Sequence, residues 1–379
     1  MTGMIDTTSL QTGSTAYAVL AESLRQTIRS GTYQPGHLIA SEYELARKGK
    51  VSRVTVRRAS ELLIREGLVE RRPGKGLFLR APSASRTTLV QVIAGNLEWE
   101  PCLRAARGIQ EAARAAGTQV QVYDAQGKMA LDHDLLRRLP EGPAQGAVII
   151  ALHCREFSEV LFELKVKRFP FVIVDQRLRD LNVPSVMADN HAGGYQVAKA
   201  LLDAGHQRIA FIGDLVADTV QERLAGLRDA VGDARLPFDR SLVVDLLTER
   251  DRFDDWLPFV TAATRTLMRR SDPPTAIFCS CDAVARSAYR ALAELGLRVP
   301  ADVSVVGFDA DPLSEYLSPP LTSVRQPFAE MGRVAFALLQ ARIANPAAVA
   351  EHRLLPIELV QRESIAPPRS GSVALHDVH

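Results

Sequence analysis

Arg53 and Arg57 stand four residues apart, with Arg58 beside them, in Val51-Ser52-Arg53-Val54-Thr55-Val56-Arg57-Arg58-Ala59-Ser60-Glu61-Leu62-Leu63-Ile64-Arg65. Val56, Ala59, Leu62 and Leu63 recur at three- and four-residue spacing, so a helix here buries that face and turns the arginines outward. Ser52 suits the N-cap, its hydroxyl accepting from a first-turn amide, and Gly67 is a plausible terminator. Like charges one turn apart weaken an isolated helix. A run that keeps them implies an anionic partner on that face, and the chemistry open to it is phosphate neutralisation and hydrogen bonding to base edges. A solvated helix also carries surface arginines, so this run alone leaves both readings open.

A second set of residues is scattered but shares one kind of position. Asp175 follows the apolar run 171–174, Asp309 follows 304–308, and Asp282 follows 276–280 where a helix opens. Arg223 sits early in a helix after the run 208–212, and Gln326 ends a strand. Ligands of parallel α/β sheets collect at the carboxyl ends of strands, which makes these pocket positions. Asp282 also suits an N-cap, and Asp175 and Asp309 also suit loop turns. Trp99, in Asn96-Leu97-Glu98-Trp99-Glu100, either stacks on a ligand's apolar face or packs at the surface. Three carboxylates, one arginine and one amide suit a neutral polyhydroxylated ligand, because carboxylates accept from hydroxyls. A purine stays open as a second ligand class, although it would want more aromatic stacking.

The elements that position the first set read in order. A polar, Thr/Gly-rich arm over 1–13 precedes a helix from about Ala16 to Ser30, ended by Gly31, with Leu20, Leu24 and Ile28 as its buried stripe. Ser41-Glu42-Tyr43-Glu44 is a capping box opening a short helix to about Lys48. The turn Gly49-Lys50-Val51 then leads into the basic helix, which makes a helix-turn-helix. Two strands flanking Pro73-Gly74-Lys75-Gly76 read as a hairpin whose tip brings Lys75 and the Gly76 backbone to a phosphate or a minor groove. Residues 47–80 hold eleven Lys/Arg against three Asp/Glu, which moves the reading to DNA. Ser52, Arg53, Thr55, Arg57, Arg58, Lys75 and Gly76 are the candidate DNA-binding residues.

Residues 81–88 are small, polar and Pro-containing, a linker. Beyond them apolar runs alternate with helical segments such as 103–116, 192–204 and 282–295, implying parallel sheets covered on both faces. About 280 residues is large for one such sheet and suits two lobes.

The net charge is only +2, but residues 1–80 carry +6 and the remainder −4. A basic head on a mildly acidic body implies nucleic-acid contacts at one end. Cys102, Cys154, Cys279 and Cys281 form no CxxC pair, so neither a disulfide framework, a metal site nor a cofactor is expected. No apolar run of 18 residues and no basic-then-apolar leader is present, so the expectation is a cytoplasmic protein with no membrane segment.

Residues 15–80 resemble the winged helix-turn-helix of the GntR family, carried by 33–36, 41–46, 51–59, Glu66-Gly67-Leu68-Val69 and Gly74-Lys75-Gly76. Ala40, Lys50, Val54, Leu77 and Tyr43 depart from that family's usual Pro, Gly, Thr, Thr and Arg. Residues 89–366 resemble the effector domain of the LacI/GalR family, which is similar to periplasmic sugar-binding proteins. The stretches are Phe171–Asp175, 189–194, 205–213, 222–227, Asp302-Val303-Ser304-Val305-Val306-Gly307-Phe308-Asp309, Pro319–Pro327 and 358–364.

The resemblance implies an α/β chain with an N-terminal winged helix-turn-helix and a bilobed body of two parallel sheets. It implies lobes of 89–188 with 327–345 and of 190–325 with 350–366, crossed by three strands. An effector in the cleft would touch Trp99, Asp175, Arg223, Asp282, Asp309 and Gln326. The family often has Asn where Cys281 stands, which leaves the ligand class open. The combination is similar to that of arabinose-responsive repressors, which implies a pentose. The expected function is a homodimeric repressor of operator DNA, controlled by a small sugar and not an enzyme. A transport-type sugar-binding protein shares the body, but the basic head and the absent leader argue against it. An α/β enzyme lacks GxGxxG, P-loop and GxSxG motifs, although a set such as Asp175 with His206 remains open.

Overall fold

The computed structural model describes residues 16–29, 32–33, 36–72, 75–79, 88–126, 129–150, 157–178, 180–246 and 257–369. The arm over 1–13, Gly31, Pro73-Gly74, Cys154 and the linker up to residue 87 lie outside them. The chain divides into two compact units, residues 1–87 and 88–379.

The first unit runs α1 (Ala16–Arg29), β1 (Leu38–Ala40), α2 (Glu42–Gly49), α3 (Arg53–Arg65), β2 (Val69–Arg72) and β3 (Gly76–Leu79). Both expected helix starts hold. Ser41 Oγ accepts from the Glu44 amide while the Glu44 carboxylate accepts from the Ser41 amide, the full capping box. Ser52 Oγ caps α3 by accepting from the Thr55 amide at 3.1 Å. Leu20, Leu24, Leu45, Val56, Ala59, Leu63, Val69 and Leu77 close one core, and Ile28 is only half-buried against it. The wing is a three-stranded antiparallel sheet in the order β1-β3-β2. The edge strand β1 was not expected, since three residues show no period.

The second unit holds β4 (Leu89–Ala94), α4 (Glu100–Ala115), β5 (Gln119–Asp124), α5 (Met129–Arg138), β6 (Gly146–Ile150), α6 (Ser158–Val166), β7 (Phe171–Val174) and β8 (Ser185–Ala188). It continues with α7 (Asn190–Asp203), β9 (Ile209–Gly213), α8 (Asp218–Asp233), β10 (Val243–Asp245), α9 (Leu257–Met268), β11 (Ala276–Cys279) and α10 (Asp282–Glu294). Last come β12 (Ser304–Asp309), β13 (Thr322–Arg325), α11 (Phe328–Ala344), β14 (His352–Leu355) and β15 (Glu358–Val360). They form two six-stranded sheets, β14-β8-β7-β6-β4-β5 and β10-β9-β11-β12-β13-β15, parallel throughout except for β13 with β15. Each sheet carries an apolar core on both faces, as fully buried parallel strands require.

The chain passes between the lobes near residues 189, 326–327 and 356–357. One expected boundary is corrected here. Residues 350–366 do not all belong to the second lobe, because β14 pairs in parallel with β8 of the first and only β15 joins the second sheet.

Candidate functional site

The head offers a cationic face. Arg53, Arg57 and Arg58 are exposed on α3. Arg57 meets Glu61 only loosely at 3.9 Å, while Arg53, Arg58 and the exposed Lys75 have no carboxylate partner among the described residues. The wing arginines differ. Arg71 pairs with Glu42 at 3.0 Å, and Arg72 pairs with Glu70 while lying over the Phe78 ring at 4.3 Å. Ser52 and Thr55 are engaged with each other, their hydroxyls 2.8 Å apart, so their first role is to fix where α3 begins. Gly76 has a local reason as well. Its φ is +113°, and a Cβ there would stand 2.9 Å from the Ala40 carbonyl, so a side chain would push β3 off β1.

The body gathers four of the named cleft residues, Asp175, Asp309 and Gln326 with the cation Arg223. Arg223 is buried on α8, yet its guanidinium finds partners: Nε donates to Asn190 Oδ1 at 2.8 Å and Nη1 to the Ser280 carbonyl at 2.6 Å. It also lies 3.9 Å from the centroid of the Phe308 ring. The sequence makes this possible through glycines. A Cβ on Gly194 would meet the Arg223 carbonyl at 2.0 Å and one on Gly226 the His191 carbonyl at 2.1 Å, so α7 and α8 touch backbone to backbone. Gly193 leaves room for the Phe308 ring on which the guanidinium rests.

Two acids feel that cation. Asp175 and Asp309 both sit in left-handed backbone, φ +63° and +108°, as the chain turns sharply off the ends of β7 and β12. Burial pushes the Asp309 carboxyl up to about 7 against the pull of Arg223, with Asp282 and Asp175 adding to the rise and Gln326 opposing it. Burial likewise pushes Asp175 up to about 6, again against Arg223. Gln326 is buried after β13 and donates from Nε2 to Asp309 Oδ1 at 2.7 Å. Asp175 Oδ1 and Gln326 Oε1 are buried without a hydrogen-bond partner among the described residues.

The remaining two candidates stand apart from this cluster. Asp282 is fully buried and its carboxylate is already filled: Oδ1 accepts from Ser323 Oγ, Oδ2 from Ser314 Oγ and the Asp311 amide. It is not the cap of α10, a position held by Cys281. Its bonds tie α10 to the bend after β12 and so hold Asp309 in place. Trp99 sits half-buried at the N-cap of α4, with no ring or cation contact among the described residues.

Against this geometry the comparisons are direct. Residues 16–79 match the model of bacterial regulatory proteins of the gntR family, and residues 198–365 match the periplasmic binding protein-like domain. The ribose operon repressor of Haemophilus influenzae is 36% identical over 197 residues, 52% of this chain and 57% of that protein. The chain thus spans little more than half the length of that relative. The HTH-type transcriptional repressor PurR of Vibrio cholerae is 30% identical over 237 residues, 61% of this chain and 67% of that protein. A LacI family transcriptional regulator from Enterococcus faecium, solved with bound ribose, has a TM-score of 0.63 and 26% identity, covering 74% of this chain and all of that one. The chain belongs to the LacI family of regulators, with a gntR-family head.

Three side chains of this LacI-family body and its gntR-family head escaped the sequence reading. Asn190 holds Arg223 in place and donates to the Ala188 carbonyl, and the signal was a buried Asn just after a helix cap. Arg104, on α4, pairs with Glu100 and donates from Nη2 to the Ala310 carbonyl at 3.3 Å, a bond between the lobes beside Asp309. Nothing in its local sequence announced that contact. Val54, next to Arg53, is an apolar side chain left 66% exposed on the outward face of α3.

Proposed function

We propose that this chain is a homodimeric transcriptional repressor that binds operator DNA through α3 and the wing and is released by a small sugar, a pentose first. The observation that carries the reading is that unpaired cations on a helix-turn-helix and a cleft built around Arg223 occur in one chain. One winged helix reads too few base pairs for genomic selectivity, and a two-fold dimer doubles the site. Sugar bound to Asp175, Arg223, Asp309 and Gln326 favours the closed cleft by its differential affinity and so changes the spacing of the two heads. By reciprocity, DNA alters sugar affinity by the same factor. The names of the relatives, one a ribose operon repressor and one a regulator holding ribose, support the ligand class.

The test is operator selection from random duplexes, followed by titration of the selected DNA with and without D-ribose and L-arabinose. Palindromic sites, a dimer by sedimentation and weaker binding in sugar are expected. A monomer on DNA, or no selected sequence, overturns the reading.

A further inference from the structure

The outward face of α3 is not uniformly charged. At about 100° per residue, Val56 and Leu63 point into the core of the head, while Arg53, Val54, Arg57 and Arg58 fall on the opposite, exposed arc. Val54 stands near the middle of that arc, between Arg57 and Arg58 and across the helix axis from Leu63. It is 66% exposed and does not belong to the set of side chains that close the head's core. A lone valine on an ordinary surface needs no explanation. Here it replaces a better helix former on a face otherwise given to arginine, and its exposure leaves little packing to offset that.

The chemistry of base edges says what such a group can read. In the major groove guanine, adenine and cytosine are distinguished by hydrogen-bonding atoms, and only thymine presents a methyl group. A valine laid on N7, O6 or an exocyclic amine strips water from a polar atom and returns no hydrogen bond. Laid on the C5-methyl it buries two apolar surfaces against each other. Valine in a helix is also held largely in one χ1 rotamer, so its methyls are placed before DNA arrives and little side-chain freedom is lost on contact.

We propose that Val54 is a specificity-determining residue that reads the C5-methyl group of one thymine in each operator half-site. This rests on the DNA reading proposed above for α3 and narrows what that helix reads.

Each thymine of the selected operator is replaced in turn by uracil, which removes the methyl and leaves every hydrogen-bonding atom. The full-length protein is titrated with each duplex by fluorescence anisotropy. One thymine per half-site should prove sensitive, its uracil duplex binding about three- to tenfold more weakly. Val54→Ala should bind the thymine duplex more weakly by a similar factor and no longer distinguish the two duplexes. Its melting temperature should not fall, since the side chain is exposed and alanine is the better helix former. Lys75→Ala, proposed to act on a phosphate, should weaken both duplexes and keep their ratio. Val54→Ser, with a hydroxyl that bonds to any base, should relax the preference at that one position when operator selection is repeated. An operator whose thymines can all become uracil without loss overturns the proposal, as does a Val54→Ala protein that still distinguishes the duplexes as the wild type does. Both results leave α3 standing as the reading helix. Failure to select any operator removes that reading and this inference with it.

Discussion

Among the described residues the head and the cleft both present polar groups without partners, but with opposite settings. On α3 the unpaired groups are cations in water, where Arg53 and Arg58 cost the fold little and are strongly screened. In the cleft they are acceptors out of water, where each missing partner is a real destabilisation. The first, proposed to meet the phosphates of DNA, should respond to salt. The second, proposed to take the hydroxyls of a sugar, should respond to pH.

The largest effect that separates them is Arg223→Met. Breaking a buried charged cluster by removing one partner costs about 3–5 kcal/mol, here because Asn190, the Ser280 carbonyl and two carboxylates all lose their cation. Thermal unfolding should show that loss in the body, and the sugar response should vanish. The gntR-family head folds as its own compact unit, so operator binding below the new melting point should persist. A variant of wild-type stability would mean that Arg223 does not hold the cleft together.

Next comes pH. The carboxyls of Asp309 and Asp175 are raised, to about 7 and about 6. In the ligand-free protein the unfolded chain then holds fewer protons than the folded one between pH 4 and 7. Stability therefore falls as pH rises through that window and levels off above it. A donor-rich ligand favours the carboxylates, so binding releases protons and affinity rises with pH by up to about tenfold per unit for each proton released. Calorimetry at pH 5.5 and 7.5 in buffers of different ionisation heat measures this. A constant affinity across that range would show that neither acid changes its proton on binding.

On the head, Arg53→Ala should weaken operator binding by about 1–3 kcal/mol with folding barely changed. Lys75→Ala should weaken binding evenly across sequences and reduce the slope of log affinity against log salt by about 1. Fluorescence anisotropy at several salt concentrations reads both. An Arg53→Ala protein with full affinity would reject α3 as the reading helix.

How much of this was legible follows from how local each feature is. Ser41, Ser52 and the Arg53–Arg57 spacing act within one or two turns, and the expected helix starts hold. The run 171–174 is a strand with its expected ends, because four fully buried apolar residues between a Pro and an Asp admit little else. The assignment of 350–366 to one lobe failed because β14 and β15 are separated only by Pro356 and Ile357, so two strands of different sheets read as one extended stretch. The structure brings together Asp175, Arg223, Asp309 and Gln326, which their places at strand ends and helix starts single out. That Gln326 bonds Asp309, that Asn190 bonds Arg223 and that Asp282 is spent internally depends on which strands are neighbours, and no spacing in the chain encodes it.

The smallest expected effect tests whether the head's charge is bought with backbone strain. Lys50 closes α2 with φ 49° and ψ 38°, its amide donating to the Ala46 carbonyl. A residue with a Cβ in that conformation costs about 1–2 kcal/mol, a cost glycine avoids while losing somewhat more chain entropy on folding. Lys50→Gly should therefore stabilise the head by roughly 0.5–1 kcal/mol, seen as a higher urea midpoint with an unchanged slope. If the lysine also contacts a phosphate, the same change should flatten the salt dependence of operator binding by about one ion. Lys50→Gln separates the two effects, since it keeps a Cβ in the left-handed conformation but carries no charge. Stabilisation with an unaltered salt slope would make Lys50 a strained helix end and nothing more. A flatter slope in both variants, with stabilisation only in Lys50→Gly, would add it to the cationic face proposed for α3 and Lys75.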